Sequence, residues 1–293
     1  IGMPNIRHAD GTEIAPHLRI RRELCLIAGI RPVKAYPNIP IPLSDPRARK
    51  IDCVIVREST EGLFASLGKG KVTNDSFAEE TLVISRKASE PLFDRAFLIA
   101  EQRRARGGRG RVTCVDKANV FTAMAFFRKI FDERAALHPS ITADHRYVDA
   151  AALELVLRPW EFDVLVMENM YGDILSDLGA GLVGSMGFAP CAELGEKHGL
   201  FQPAHGSAPD IAGEGKANPT AMLLSAAMML DWLGERSGIA ACSDAAKDLN
   251  DAIHSVFDRK EALPMEVGGN DGTVELTMKI LARLAALRPL HAA

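Results

Sequence analysis

Asp173 and Asp177 stand four residues apart in NMYGDILSDLGAG, Asn169 to Gly181, a glycine-dotted apolar run. On a helix that spacing makes the two carboxylates neighbours. Neighbouring carboxylates beside apolar residues repel each other and resist desolvation unless a cation lies between them. Taken alone, the pair reads first as a solvated one at a helix start, where negative charge is favoured. Other reactive residues gather at the ends of three short apolar runs. IDCVIVRE ends on Arg57 and Glu58, RVTCVDKAN on Asp116, Lys117 and Asn119, and FDVLVMENMYGD on Glu168 and Asn169, with Asp173 just beyond.

These runs are unbroken and β-branched, and helical stretches separate them. That is the pattern of an α/β protein with a mainly parallel sheet covered on both faces. Ligands of open α/β sheets bind outside the carboxyl ends of the strands. Arg57, Lys117 and the Asp173/Asp177 pair are therefore expected to share one rim. Among the helices, SEPLFDRAFLIAEQRRARGG has Ser89 as a cap candidate and Gly107-Gly108 as a stop. NPTAMLLSAAMMLDWLG begins with Asn218 as cap and Pro219 at the first position. It is apolar nearly all round, which fits a core or a subunit interface. GTVELTMKILARLAAL is an amphipathic terminal helix with Thr273 as its cap candidate.

At 293 residues the chain has room for two domains or one large α/β unit. A net charge of −3 gives no reason to expect nucleic acid or an anionic membrane as partner. No apolar run reaches the ~20 residues that a bilayer span requires. Five cysteines, odd in number and without metal-type spacing, read as free thiols of a reducing compartment, hence a cytoplasmic location. The opening IGMPNIRHADGTEIAP has no signal-peptide pattern and reads as a strand end and a loop.

Several motifs carry a second meaning. GAGLVG, Gly179 to Gly184, spells the dinucleotide fingerprint, but a helical stretch intervenes after the strand, so its glycines read as close helix packing. PAHGSAPDIAGEGKANP, Pro203 to Pro219, offers glycine-freed amides, one acid (Asp210) and a helix start. Such a loop suits a nucleotide, with amides on phosphates and a carboxylate on ribose hydroxyls, and equally a structured surface loop. Asp149, before a helical pattern, reads as a cap, and His145 as structural. RRARGGRGR reads as a solvated helix end, with RNA binding as the alternative.

Together these segments resemble the β-decarboxylating dehydrogenases, the family of isocitrate, 3-isopropylmalate, tartrate and D-malate dehydrogenases. The resemblance rests on NMYGDILSDLGAGLVGSMGFAP followed by HGSAPDIAGEGKANPTA, with weaker matches in RRELCLIAGIRP, VRESTEGLF, VDKANV and YVDA. It implies that Asp173 and Asp177 hold Mg²⁺ or Mn²⁺ against a 2-hydroxy acid, with Asp149 supplied by the other subunit of a homodimer. Oxygen ligands suit such ions, which would polarise the hydroxyl and then the keto oxygen. It further implies that Arg21, Arg31 and Arg57 clamp the substrate carboxylates, with His17 and Leu18 facing the variable group. Lys117, again from the partner, would take the hydroxyl proton as hydride leaves for the cofactor. His205, Gly206, Ser207, Ala208, Asp210 and Asn218 match the cofactor contacts. Asp210 would accept from both ribose hydroxyls and repel a 2′-phosphate, so NAD is expected.

The sequence departs from the family in two places. Where the family has a tyrosine that protonates the enolate, this chain has Phe64, which has no proton to give. The family's opening strand–helix units, with their glycine-rich loop, are also missing. The expected fold is thus the isocitrate/isopropylmalate dehydrogenase-like two-domain fold without its N-terminal strand–helix units. Residues 1–26 and 184–293 would build the larger, cofactor-binding domain, and 27–183 the smaller substrate-binding and dimerisation domain. The implied activity is metal-dependent oxidative decarboxylation of a malate-type 2-hydroxy acid with hydride transfer to NAD. Phe64 motivates a second reading, a silent family member that binds ligands as a regulatory or structural subunit.

Overall fold

The computed structural model describes residues 16–287. The strand end and loop expected at the start fall almost wholly outside them. In chain order the elements are α1 (Pro16–Glu23), β1 (Ala28–Lys34), β2 (Asp52–Glu58), β3 (Lys71–Thr73), β4 (Phe77–Glu79), α2 (Arg86–Ala105), β5 (Arg111–Asp116) and α3 (Thr122–Ala135). They continue with β6 (Thr142–Tyr147), α4 (Val148–Leu157), β7 (Val164–Met167), α5 (Asn169–Leu182), β8 (Pro190–Leu194), β9 (Gly199–Pro203), α6 (Thr220–Ser237), α7 (Ala240–Asp258) and α8 (Thr273–Leu287). Seven strands form one sheet in the order β6-β5-β7-β2-β1-β8-β9, and β3 and β4 form a separate hairpin.

The three expected strands are β2, β5 and β7, and with β6 they pair in parallel. Beyond β2 the pairing changes: β1 is antiparallel to β2, β8 to β1 and β9 to β8. Because β8 is reversed twice, it points the same way as β2, and only β1 and β9 run against the rest. The sheet is therefore mainly parallel in strand direction.

Why the runs are unbroken is visible in the packing. Val54 and Val56 of β2, Val112 and Cys114 of β5, and Val164 and Val166 of β7 face α2 and α3, where they meet Phe93, Phe97, Phe127 and Phe131. Cys53, Ile55, Val115, Leu165 and Met167 face the other way, towards α4 and α5. Both faces are dry, so neither can carry the polar alternation of a one-sided sheet. Each of the four phenylalanines is fully buried, worth roughly 1.5–3 kcal/mol apiece in removed apolar surface. A third core joins α6, α7 and α8 around Tyr36, Ile39, Phe188 and Phe257.

The helix ends partly differ from expectation. Ser85, not Ser89, caps α2: its Oγ accepts from the Ala88 amide at 3.2 Å, and Ser89 is buried inside the helix. Pro91, the sixth residue of α2, has no amide to donate to the Lys87 carbonyl, so the helix forgoes one ladder bond there. The glycine stop is as expected, with Gly107 at φ +88 and the Gly108 amide returning to the Arg103 carbonyl. Asn218 does cap α6, accepting from the Thr220 amide at 3.0 Å. Thr273 opens α8, but its hydroxyl donates to the Ala217 carbonyl at 2.5 Å and ties the helix to the loop before α6. Gly179 packs as expected, since a Cβ there would lie 2.7 Å from Val33.

The basic tract is structural. Arg103 binds Asp163 and Asp52 at 2.6 and 2.9 Å, Arg104 the Ser140 carbonyl, Arg109 the Trp160 carbonyl at 2.7 Å, and Arg111 binds Asp144. His145 is structural too, with Nε2 at 2.7 Å from Asp132 and its ring edge-on to Phe131. Cys53, Cys114 and Cys191 are buried free thiols, while Cys25 is exposed. No helix among the described residues is long and apolar enough to cross a membrane.

Candidate active site

Arg57 is the last residue but one of β2, and its side chain lies on the α5 face of the sheet at 1% exposure. Two features of α5 accept it. Gly172 leaves the space: a Cβ there would stand 2.5 Å from the Arg57 Cγ. Asn169 holds the guanidinium, its Oδ1 accepting from Nε and Nη2 at 3.0 and 2.6 Å while its own amide donates to the Glu61 carbonyl. The remaining Nη1 pairs with Asp173. Arg31, on the same face of β1, donates to Ser176 at 2.5 Å and lies 3.5 Å from Asp173 and 3.9 Å from Asp177. Arg21, from α1, is paired at 2.6 Å with Glu193 of β8.

These side chains converge on a cavity of ≈ 240 Å³. It is lined by His17, Leu18, Arg21, Arg31, Arg57, Phe64 and Asp173 together with the segment Gln202–Gly206. Three guanidiniums around so small a space can be held together only by the acids among them. Burial first, then the charges of its arginine neighbours, lowers Arg57 to about 10, which still leaves it charged at neutral pH. Burial and the nearby Arg21 also lower His17, favouring the neutral imidazole. The Arg57 guanidinium carbon lies 5.3 Å from the centre of the Phe64 ring, so this phenylalanine is part of the cavity wall.

Lys117 and Asp149 form a second group. At the end of β5 the Lys117 ammonium donates to Asp149 Oδ1 at 2.6 Å. The Lys117 hydrogen bond holds the Asp149 carboxyl below its ordinary range. Tyr147 lies between Lys117 and Arg128, with Arg128 clamped on the buried Asp116 at 2.7 and 2.8 Å. Neither Lys117 nor Asp149 lines the arginine cavity. Asp173 and Asp177, hard oxygen donors on one exposed face of α5, suit a Mg²⁺ or Mn²⁺ ion. Asp149 does not join them within one chain, and no three potential ligands converge among the described residues. Ser207, Ala208 and Asp210 continue the loop beyond the cavity, with Ala208 left-handed at φ 43 and Asp210 exposed. Asn218 is buried, its amide nitrogen donating to Glu266 at 2.6 Å, so its side chain is engaged inside the protein.

The family model described as isocitrate/isopropylmalate dehydrogenase matches residues 2–280. The chain belongs to the isocitrate/isopropylmalate dehydrogenase family. A 3-isopropylmalate/3-methylmalate dehydrogenase of Methanocaldococcus jannaschii is 42% identical over 91% of this chain and 76% of its own length. An isocitrate/homoisocitrate dehydrogenase of Thermus thermophilus is 42% identical over 92% and 74%. The crystal structure of isocitrate dehydrogenase from Methylococcus capsulatus superposes with a TM-score of 0.82 at 37% identity, covering 95% of this chain and 79% of that one. Membership in this family places the chain among dehydrogenases that oxidise and decarboxylate a hydroxy acid.

Within this family member, four residues of the site escaped sequence reasoning: Glu193, Ser176, Gln202 and, as the holder of Arg57, Asn169. Only Glu193 left a visible sign, a lone acid in the apolar run GFAPCAEL. The sequence shows Glu58 at the end of β2 but not its protonation state. Burial pushes its carboxyl up to about 7, although Thr60 and the Glu61 amide donate to it at 2.5–2.7 Å. The folded form therefore binds this proton more tightly than the unfolded chain. Its contribution is complete below about pH 4 and is lost as pH rises through about 7, a change of up to about 3 kcal/mol. Urea unfolding of the wild type is expected to lose stability between pH 5 and pH 8 relative to Glu58→Gln. Parallel pH profiles for the two proteins would refute this.

Proposed function

We propose that this chain is a metal- and NAD-dependent enzyme that oxidises and decarboxylates a malate-type 2-hydroxy acid, acting as a homodimer with shared active sites. The observation that carries the reading is the convergence of Arg21, Arg31 and Arg57 on one cavity bordered by Asp173 and by the His205–Gly206 loop. In this reading the arginines bind the substrate carboxylates and fix its orientation. Asp173 and Asp177 hold Mg²⁺ or Mn²⁺ together with Asp149 of the second copy. A bound ion would supply polarisation of the substrate oxygens, and bound NAD a hydride acceptor. Lys117 of the second copy takes the hydroxyl proton at its ε-amine. The loop from His205 to Asp210 would lie along the cofactor, with Asp210 accepting from ribose hydroxyls and unfavourable to a 2′-phosphate. Asn218 would reach it through its backbone, since its side chain is bound to Glu266 and the Thr220 amide.

The dimer is supported by what the single chain leaves uncovered. Leu153 and Leu157 of α4 and Ile174 of α5 are each about 60% exposed, and the β3–β4 hairpin offers Val72 and Phe77. Such patches on adjacent helices mark an interface. Residues 27–183 would then form the smaller, substrate-binding and dimerisation domain, and residues 1–26 with 184–293 the larger, cofactor-binding one. Phe64 favours one alternative, a silent subunit that binds the same ligands.

The test is NADH formation with Mn²⁺ and NAD⁺ on D-malate, tartrate, isocitrate and 3-isopropylmalate. Turnover of one acid with NAD⁺ well above NADP⁺ is the expected result. Binding of acid, metal and NAD without turnover would transfer the reading to the silent subunit.

A further inference from the structure

Glu193 is fully buried, yet it lies among the three arginines rather than beside them. The register explains how it arrives there. Arg57 of β2, Gly29 of β1 and Glu193 of β8 form one lateral row across three strands, with all three on the α5 face. The middle position has no side chain, so the carboxylate of Glu193 lies over it. A Cβ on Gly29 would stand 2.9 Å from Glu193 Oε2 and 2.8 Å from the Ser59 hydroxyl. Glu193 Oε1 binds Arg21 Nη2 at 2.6 Å, lies 3.9 Å from Arg31 Nη2, and accepts from the Cys191 thiol at 3.5 Å. Oε2 is buried without a hydrogen-bond partner. The carboxylate is thus enclosed on the sheet side of the cluster and has no solvated position to retreat to.

We infer that Glu193 is a built-in carboxylate of the arginine clamp and makes the site selective for a dicarboxylic over a tricarboxylic hydroxy acid. This rests on the reading of Arg21, Arg31 and Arg57 as the carboxylate clamp. Three guanidiniums carry three positive charges. Asp173 and Asp177, which border Arg57 and Arg31, are in that reading the ligands of the divalent ion, whose two charges offset theirs, and Glu193 offsets one guanidinium through Arg21. Two remain for the substrate, matching two carboxylates. A third substrate carboxylate would enter beside a fixed, desolvated like charge, which is the repulsive element that specificity requires. Glu193 touches no substrate in this arrangement. It acts through Arg21 and Arg31 and is a positioning and specificity residue, not a catalytic one.

Binding of two non-oxidisable probes, succinate and propane-1,2,3-tricarboxylate, tests this by calorimetry on the full chain with Mg²⁺. The wild type is expected to prefer succinate by roughly tenfold or more, the effect of one unit charge several ångströms away in a partly screened site. Glu193→Gln keeps the shape and removes the charge, and should shift the ratio of the two affinities towards the tricarboxylate by roughly tenfold. Should that variant not fold, Glu193→Asp, which withdraws the carboxylate from Arg21, should move the ratio in the same direction by less. A ratio that changes less than twofold in a folded variant, or a wild type that binds both probes equally, overturns the role of Glu193 alone. A wild type that binds neither probe overturns the clamp itself, and this inference with it.

Discussion

Lys117→Met is expected to lower kcat by about 10³-fold, within the 10²–10⁴ typical of a general base, while leaving the binding of the acid within a few-fold. The separation of the two side-chain groups is the reason. The arginines that hold the carboxylates are anchored by Asn169, Ser176 and Glu193, none of which contacts Lys117 in the structure. Removing the ammonium breaks its bond to Asp149 at 2.6 Å and leaves an exposed, solvated carboxylate, so the fold should tolerate the change. A mixture tests whether the lysine acts across the dimer. Lys117→Met and Arg57→Gln homodimers should each be inactive. Unfolded and refolded together, they should regain about a quarter of wild-type activity, because half the dimers are mixed and each has one intact site. No recovery from a mixture that forms mixed dimers would mean that Lys117 acts within its own chain or not at all.

Phe64→Tyr is expected to raise the rate of decarboxylated product formation by about 10²-fold or more, the usual worth of a well-placed general acid. The ring lies beside the Arg57 guanidinium and lines a cavity rich in polar side chains, so an added hydroxyl has polar neighbours at hand. Succinate affinity should barely change, since the arginines carry it. A wild type that is silent while the variant turns over would identify a site that binds but lacks its final proton donor, and would favour the regulatory reading. A wild type that already matches the variant would show that another group or water gives the proton.

The dry runs IDCVIVR, RVTCV and DVLVM made the parallel strands readable, because a strand buried on both faces has few ways to be written. The aspartate spacing and the loop PAHGSAPD were readable for the same kind of reason: both are local. The antiparallel half was not legible. β1 is the run AGIRPVK, whose proline and arginine argue against a central strand until Gly29 and Arg31 are seen to serve the site. Ser85 rather than Ser89 caps α2, and two serines four residues apart ahead of one helical run do not show which of them starts it.

What the sequence by itself determined is the family, the strands that carry Arg57 and Lys117, and the carboxylate pair on α5, since each lies in one contiguous segment. Only the tertiary structure decided which charges meet. It joined Arg21 to Glu193 across 172 positions, set Arg57 against Gly172, and kept Lys117 with Asp149 instead of with Asp173. Spacing along a chain fixes neighbours within a helix or strand, whereas ion pairs between elements depend on sheet order and register, which three reversals at β1, β8 and β9 had hidden.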